Sequence, residues 1–103
     1  MLFELDEKLF YDHIKKHHLV LIKFGAPWCR SCEALEDLLE ELSEDLFDLV
    51  KIFEVNVENT PSVADEFDVF TLPTMILFKD GKEYDRKTGL HKIDTIKEWI
   101  LHV

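Results

Sequence analysis

A short apolar run that ends at a glycine–proline turn and leads into a long amphipathic helix is the strongest constraint on this fold. Leu19–Phe24 is apolar apart from one lysine, and Gly25-Ala26-Pro27 ends the run, as is typical of a buried strand followed by a turn. Beyond Cys29, apolar residues recur at helical spacing with acids between them: Cys32, Leu35, Leu38, Leu39, Leu42 and Leu46. This strand–turn–helix unit predicts an α/β fold.

The other segments in the first two thirds of the chain also alternate between helical and strand patterns. Asp6 is a suitable N-cap for a helix that reaches His17, and Leu2–Glu4 is a candidate short strand before it. Val50–Val57 has the alternation of a strand. Thr60 and Pro61 then supply an N-cap and a first-turn proline for a short helix that ends near Phe67.

The last third of the chain predicts a hairpin and a final helix. The run Met75–Phe78 is followed by an Asp-Gly turn within Lys79–Lys82 and by a second strand that ends at Thr88. After Gly89, apolar residues at helical spacing predict an amphipathic helix. The predicted order is (β)αβαβαββα, with a central mixed sheet of four to five strands flanked by about four helices.

Length and charge exclude several classes of function. With 103 residues, the chain has room for one domain, 1–103. The 12 basic and 22 acidic side chains give a net charge of −10, which repels nucleic acid and anionic membranes. The longest apolar runs are far shorter than a membrane span, which needs about 18 apolar residues. Acids stand where a signal peptide would be basic, so we expect a cytoplasmic protein.

The two cysteines, Cys29 and Cys32, have the spacing Cys-x-x-Cys. One short loop cannot staple a small fold, and a zinc site needs four ligands, so redox chemistry is the leading use of the pair. His13 and His17 are four residues apart, a spacing that can hold a metal ion. We expect instead a solvated pair and no metal site, because no acid or thiol accompanies them.

The position of the two cysteines on the long helix predicts different roles for them. Cys29 lies at the helix N-terminus, where unpaired N–H groups, the macrodipole and Arg30 favour the nucleophilic thiolate. Cys32 lies on the apolar stripe and is shielded. We therefore expect Cys29 to attack an incoming disulfide and Cys32 to resolve the mixed disulfide.

The segment F-G-A-P-W-C-R-S-C at Phe24–Cys32 resembles the active-site segment of the thioredoxin family. Thr71–Thr74 is similar to the family's cis-proline loop, and F-K-D-G-K at Phe78–Lys82 is similar to its hairpin. Gly89 resembles the family's substrate-groove glycine. The resemblance covers essentially the whole chain and implies a thioredoxin fold. It also implies a substrate-binding surface, formed by Trp28, Arg30, Leu72, Pro73 and Gly89.

The sequence departs from the family pattern at three places. Arg30 and Ser31 stand between the cysteines, where thioredoxin itself has Gly and Pro, and this dipeptide tunes redox poise in the family. Lys23 takes the place of the family's buried acid, and Glu54 takes the place of its nearby lysine. We expect a charge-swapped Lys23–Glu54 pair that supplies the proton-transfer group. The alternative is that Lys23 extends to the surface while Glu54 is solvated.

The acids of the long helix are expected to form its exposed side; they are Glu33, Glu36, Asp37, Glu40, Glu41, Glu44 and Asp45. As a whole, the sequence predicts a monomeric thiol–disulfide oxidoreductase without a bound cofactor. The resemblance implies disulfide-containing client proteins and a thioredoxin-reductase-like electron donor as partners. The alternative function is a binding module in which the cysteines are redox-inactive or bridge an iron–sulfur cluster between two subunits.

Overall fold

Four helices and four strands alternate in the computed structural model, which describes residues 1–103. The helices are α1 (Glu7–Lys16), α2 (Arg30–Asp45), α3 (Pro61–Glu66) and α4 (Ile93–Leu101). The strands are β1 (Leu19–Gly25), β2 (Lys51–Asn56), β3 (Thr74–Lys79) and β4 (Lys82–Thr88). The predicted α/β fold with a central mixed sheet is confirmed, and every predicted helix is present.

The sheet has the strand order β2-β1-β3-β4, so β1 lies inside it. β1 runs parallel to β2, which requires the crossover through α2, and antiparallel to β3. Lys23 is opposite Glu54 on β2, and Phe24 is opposite Thr74 on β3. The end of β1 is therefore enclosed by the end of β2 and the beginning of β3, and the turn that leads to the cysteines begins at this edge.

Both faces of the sheet are covered, because side chains alternate along each buried strand. On one face, Leu19 and Leu21 of β1 belong to the same core cluster as residues of α2 and α4, among them Leu39 and Ile96. On the other face, the intervening residues of β1 pack with α1 and α3. Lys23 continues the Leu19–Leu21 series, so its side chain points toward α2.

One prediction at an element end is wrong. Leu2–Glu4 form an isolated bridge, with Glu4 opposite Glu54, and no strand, because Asp6 begins the cap of α1 directly afterwards. Thr60 is the N-cap residue of α3 and Pro61 begins the helix, as predicted, although the Thr60 side chain makes no capping hydrogen bond. By contrast, Asp6 is confirmed as the N-cap of α1, since its carboxylate accepts a hydrogen bond of 2.8 Å from the Leu9 N–H.

The hairpin turn has the predicted Asp-Gly chemistry. Asp80 and Gly81 have φ values of +52° and +83°, so both turn residues are left-handed, as the twist of a two-residue hairpin requires. None of the four helices is both long and apolar enough to cross a membrane.

Candidate active site

Cys29 and Cys32 are joined by a disulfide at the N-terminus of α2, with their Cα atoms 5.2 Å apart. Cys29 is the N-cap residue, and its Sγ accepts a hydrogen bond of 3.2 Å from the Cys32 N–H. Only 8% of Cys29 and 2% of Cys32 is exposed. After reduction of the disulfide, the Cys32 N–H is placed to donate to a thiolate on Cys29 and so to stabilise it.

Gly25, the last residue of β1, allows the disulfide to approach the sheet closely. A Cβ atom at this position would lie 3.2 Å from both Cβ and Sγ of Cys32, and 3.4 Å from Cε of Lys23. In the structure, the missing side chain of Gly25 leaves the space that Cys32 and the lysine occupy.

Lys23 is buried behind Cys32, with 3% of the residue exposed. Its Nζ donates to the Cys32 carbonyl oxygen at 3.3 Å and lies 3.0 Å from Oε2 of Glu54. The expected charge-swapped pair is therefore formed. The alternative, in which Lys23 extends to the surface, is wrong because β1 is interior and its side chain points under α2.

Glu36 is a second carboxylate partner of Lys23 that the sequence did not reveal. Its Oε1 lies 3.3 Å from the Lys23 Nζ, and only a quarter of its side chain is exposed. The expectation that Glu36 belongs to the exposed side of the long helix is wrong. A signal was available, because Glu36 follows Cys32 by four residues and therefore lies on the same helix face.

The pKa of the Glu54 carboxyl is raised above its ordinary value of 4.5, chiefly because burial removes the carboxylate from water. The Lys23 ammonium opposes this effect through its hydrogen bond and charge, whereas the negative charges of Glu36 and Glu4 reinforce it. A carboxyl group with a raised pKa is better suited to accept a proton from a thiol.

An open pocket of about 370 Å³ connects this ion cluster with the disulfide. Lys23, Glu36 and Glu54 line it together with both cysteines. Thiol–disulfide exchange needs a path by which a proton leaves the buried Cys32. The pocket places the disulfide and the carboxyl group of Glu54 on one continuous surface.

Trp28 and the proline loop lie outside this pocket and present a separate surface. Trp28 is 67% exposed, and its indole N–H donates a hydrogen bond of 2.8 Å to Glu58. Glu58 is fixed in turn, because its backbone N–H donates to the Asn56 side chain at 2.9 Å. Nothing in the sequence pointed to Glu58, whose carboxylate accepts the indole hydrogen bond and so favours one orientation of the exposed ring.

The Leu72–Pro73 peptide bond is cis, as the resemblance implied. Pro73 precedes β3, whose first residue pairs with the end of β1, so the loop borders the same sheet edge as the cysteine turn. The Gly89 N–H donates a hydrogen bond of 2.8 Å to the Pro73 carbonyl oxygen. Gly89 has a φ of +84°, which favours glycine. Leu72 is half-buried beside this pair.

The remaining candidate residues are placed as follows. Arg30 is the first residue of α2 and is exposed, and Oγ of Ser31 lies 3.5 Å from Sγ of Cys29. The rings of His13 and His17 stack on each other, and His13 also packs against Phe53. The structure has no group of three or more His, Cys, Asp or Glu side chains placed to hold a metal ion.

Comparisons with known proteins agree with this geometry. The family model described as Thioredoxin matches residues 1–102. A thioredoxin of Rickettsia bellii is 37% identical over 95 residues, which span 91% of this chain and 90% of that protein. A thioredoxin of Chlamydia trachomatis is 44% identical over 82 residues, or 80% of this chain and 79% of that protein. A solved structure of a mutant thioredoxin from Halobacterium salinarum superposes with a TM-score of 0.91 at 27% identity, covering 97% of this chain and 88% of that one.

Proposed function

Because this chain belongs to the thioredoxin family and is a protein thiol–disulfide oxidoreductase, we propose that Cys29 is the attacking thiol and Cys32 the resolving thiol. The observation that carries this assignment is the different setting of the two sulfurs. Sγ of Cys29 accepts an N–H hydrogen bond at the helix N-terminus, whereas Cys32 is 2% exposed and faces the buried lysine. The helix terminus stabilises a thiolate on Cys29, and burial protects Cys32 from other reactions.

The reaction proceeds in two displacements. The Cys29 thiolate attacks one sulfur of a client disulfide, the client S–S bond breaks, and the other client sulfur leaves as a thiolate. The Cys32 thiolate then attacks Sγ of Cys29, which forms the Cys29–Cys32 disulfide and releases the second client sulfur. The client gains two electrons and the cysteine pair loses two. Each client thiolate takes up a proton from solvent or from the site.

Glu54 accepts the proton that Cys32 must lose before the second displacement. Its carboxylate shares the pocket with Cys32 and has a pKa above the ordinary value, which supports this role. Lys23 holds the carboxylate in place at 3.0 Å and also binds the Cys32 carbonyl oxygen. In this proposal the positions of the acid and the lysine are exchanged relative to the family pattern, with the lysine at 23 and the proton-accepting carboxylate at 54.

Client segments bind on the surface formed by Trp28, Arg30, Leu72, Pro73 and Gly89. The exposed indole of Trp28 offers apolar contact area next to Cys29. Backbone groups of the cis-proline loop lie at the sheet edge from which the cysteines project, within reach of an extended client segment. The Gly89–Pro73 hydrogen bond holds the two parts of this surface together.

The partners are disulfide-containing client proteins and a thioredoxin-reductase-like donor that returns the pair to the dithiol. We place the protein in the cytoplasm as a monomer, with residues 1–103 acting as one domain. In a reducing cytoplasm, the dithiol is the expected resting form of the pair. The match of the family model to residues 1–102 supports the single domain.

Trapping of the mixed disulfide tests these roles. The reduced Cys32→Ser variant is mixed with insulin, and we expect a stable adduct through Cys29, seen by mass spectrometry and reversed by dithiothreitol. The matched Cys29→Ser variant should form no adduct. Trapping by Cys29→Ser instead would reverse the assignment. A wild-type protein that reduces no insulin, and that is coloured after anaerobic purification, would favour the iron–sulfur binding module.

A further inference from the structure

Two carboxylates surround one buried ammonium behind Cys32. Nζ of Lys23 lies 3.0 Å from Glu54 and 3.3 Å from Glu36, and the three side chains form what we call the lysine triad. With both carboxylates ionised, the triad has one excess negative charge. The proposed proton transfer requires only Lys23 and Glu54, so Glu36 is a charged group that the mechanism has not yet used.

The placement of Glu36 directs its charge at Cys32. Glu36 follows Cys32 by four residues on α2, which puts it one helical turn away on the same face. Lys23 connects the two directly, because its Nζ contacts both the Glu36 carboxylate and the Cys32 carbonyl oxygen. Cys29 is the N-cap of α2 and lies a further turn away from Glu36. A charge at Glu36 should therefore affect Cys32 more than Cys29.

Charged groups reach the Glu54 side of the pocket from every neighbouring segment. They come from β1, from α2, and from the chain before α1, and they are Lys23, Glu33, Glu36, Glu4 and the Met1 ammonium group. The Met1 ammonium is engaged with Glu40 at 2.9 Å, and no other ammonium or guanidinium group pairs with the carboxylates of the triad. The Met1 ammonium also attracts Glu36 and Glu54 at longer range, but Glu40 balances its charge, so one excess negative charge remains on the triad.

We propose that Glu36 sets the pH at which Cys32 begins to resolve the mixed disulfide, by giving the lysine triad its excess negative charge. A negative charge beside a thiol disfavours the thiolate, so Glu36 holds the proton on Cys32 to a higher pH than Lys23 and Glu54 alone would. Glu36 is a positioning and tuning residue, because it does not touch the reacting sulfurs. The inference rests on the proposed roles of Cys29 and Cys32.

The experiment separates the two displacements in one reaction. Reduced protein is mixed rapidly with excess 5,5′-dithiobis(2-nitrobenzoate), a symmetric disulfide whose thiolate product is yellow. Attack by Cys29 releases the first thiolate at a rate proportional to reagent concentration. Attack by Cys32 on the resulting mixed disulfide releases the second thiolate at a rate independent of it. Both rates are measured as functions of pH, and Cys32→Ser, which lacks the second release, identifies the phases.

We expect Glu36→Gln to move the pH midpoint of the second phase downward by about half a unit or more, as removal of a nearby like charge does. The midpoint of the first phase should move much less. Glu36→Ala also removes the charge and should move the midpoint of the second phase in the same direction. This variant replaces Glu36→Gln if the glutamine variant folds poorly. Glu36→Asp keeps the charge and should remain close to wild type. Asp37→Asn removes the same charge from the neighbouring, exposed residue and is the matched control.

Two results would overturn the inference. One is a second-phase midpoint in Glu36→Gln that moves no further than in Asp37→Asn. The other is a midpoint that moves upward, which would make Glu36 itself the proton acceptor. Failure of the proposed function looks different, because wild-type protein would then lack the second release, or Cys29→Ser would retain the first.

Discussion

Lys23 and Glu54 occupy opposite positions in the register of β1 and β2, and their charged atoms lie 3.0 Å apart. The lysine belongs to the interior strand, whereas β2 forms an edge of the sheet. Both side chains line the pocket, but the lysine is almost fully enclosed, whereas about a fifth of the Glu54 side chain is exposed. An ion pair at this depth needs further partners, which the Cys32 carbonyl oxygen and Glu36 supply.

Glu54→Gln should change how stability depends on pH. A carboxyl group whose pKa is higher in the folded protein than in the unfolded chain binds its proton more tightly when folded, so its ionisation costs stability. This cost is absent below the unfolded value, near 4.5, and complete above the folded value. Relative to Glu54→Gln, the wild type should therefore lose unfolding free energy as the pH rises through this interval.

Urea unfolding of the disulfide form across a pH series measures this difference without titration of the cysteines. Glu41→Gln, which removes an exposed carboxylate from α2, is the control and should follow the wild type. A wild-type to Glu54→Gln difference that stays constant with pH would show that burial does not perturb Glu54.

Glu58→Ala should weaken the reduction of proteins and spare the reduction of small disulfides. The substitution removes the acceptor that holds the Trp28 indole at 2.8 Å, and one hydrogen bond corresponds to roughly a twofold to tenfold change in kcat/KM. Insulin reduction and 5,5′-dithiobis(2-nitrobenzoate) reduction give the comparison. Asp85→Ala removes the equivalent acceptor from Trp99, also at 2.8 Å, and should leave both rates unchanged. Equal losses for the two substrates would contradict a client-binding role for Trp28.

Gly25→Ala should crowd Cys32 and slow the resolving step. The added Cβ would lie 3.2 Å from Sγ and Cβ of Cys32, and overpacking of this kind costs about 1–3 kcal/mol. Urea unfolding and the second phase of thiolate release measure the two effects. Gly81→Ala is the control. Gly81 has a φ of +83°, and a Cβ added there would meet no atom closer than 3.7 Å, so this substitution strains only the backbone. Gly81→Ala should lose stability but keep the wild-type resolving rate. If Gly25→Ala also loses stability without slowing the resolving step, crowding of Cys32 is not the cause.

Asp6→Ala should destabilise the protein by about 0.5–2 kcal/mol, the usual cost of losing a side-chain N-cap. The Asp6 carboxylate accepts the Leu9 N–H at 2.8 Å, and no other side chain takes its place. Asp12→Ala, which removes an exposed ion pair with Lys8 on the same helix, should have a much smaller effect. Thermal unfolding of the two variants decides the point. Equal losses would indicate general charge effects on α1 and not a specific cap.

Apart from the Lys23–Glu54 pair and the cis-proline loop, which the family resemblance implied, the predictions that succeeded depended on residues close together in sequence. Apolar periodicity located the helices and strands, Asp80-Gly81 identified the hairpin turn, and the Cys-x-x-Cys spacing predicted a redox-active pair. The failures were at segment ends and on helix faces. Leu2–Glu4 has a strand-like composition, but the nearby start of α1 limits its pairing to a single bridge.

The sequence alone determined the strand–turn–helix unit, the redox-active pair and the order of the elements, because periodicity, turn residues and spacing act over a few neighbouring positions. Only the tertiary structure decided that Glu36 faces Lys23, which is 13 positions away in sequence, and that Glu58 holds Trp28, which is 30 positions away. These contacts depend on how α2 crosses β1 and where the turn after β2 ends. A charged side chain points toward the hydrogen-bond partners that compensate for its burial. Because packing brings those partners from segments that are distant in sequence, local patterns do not identify them.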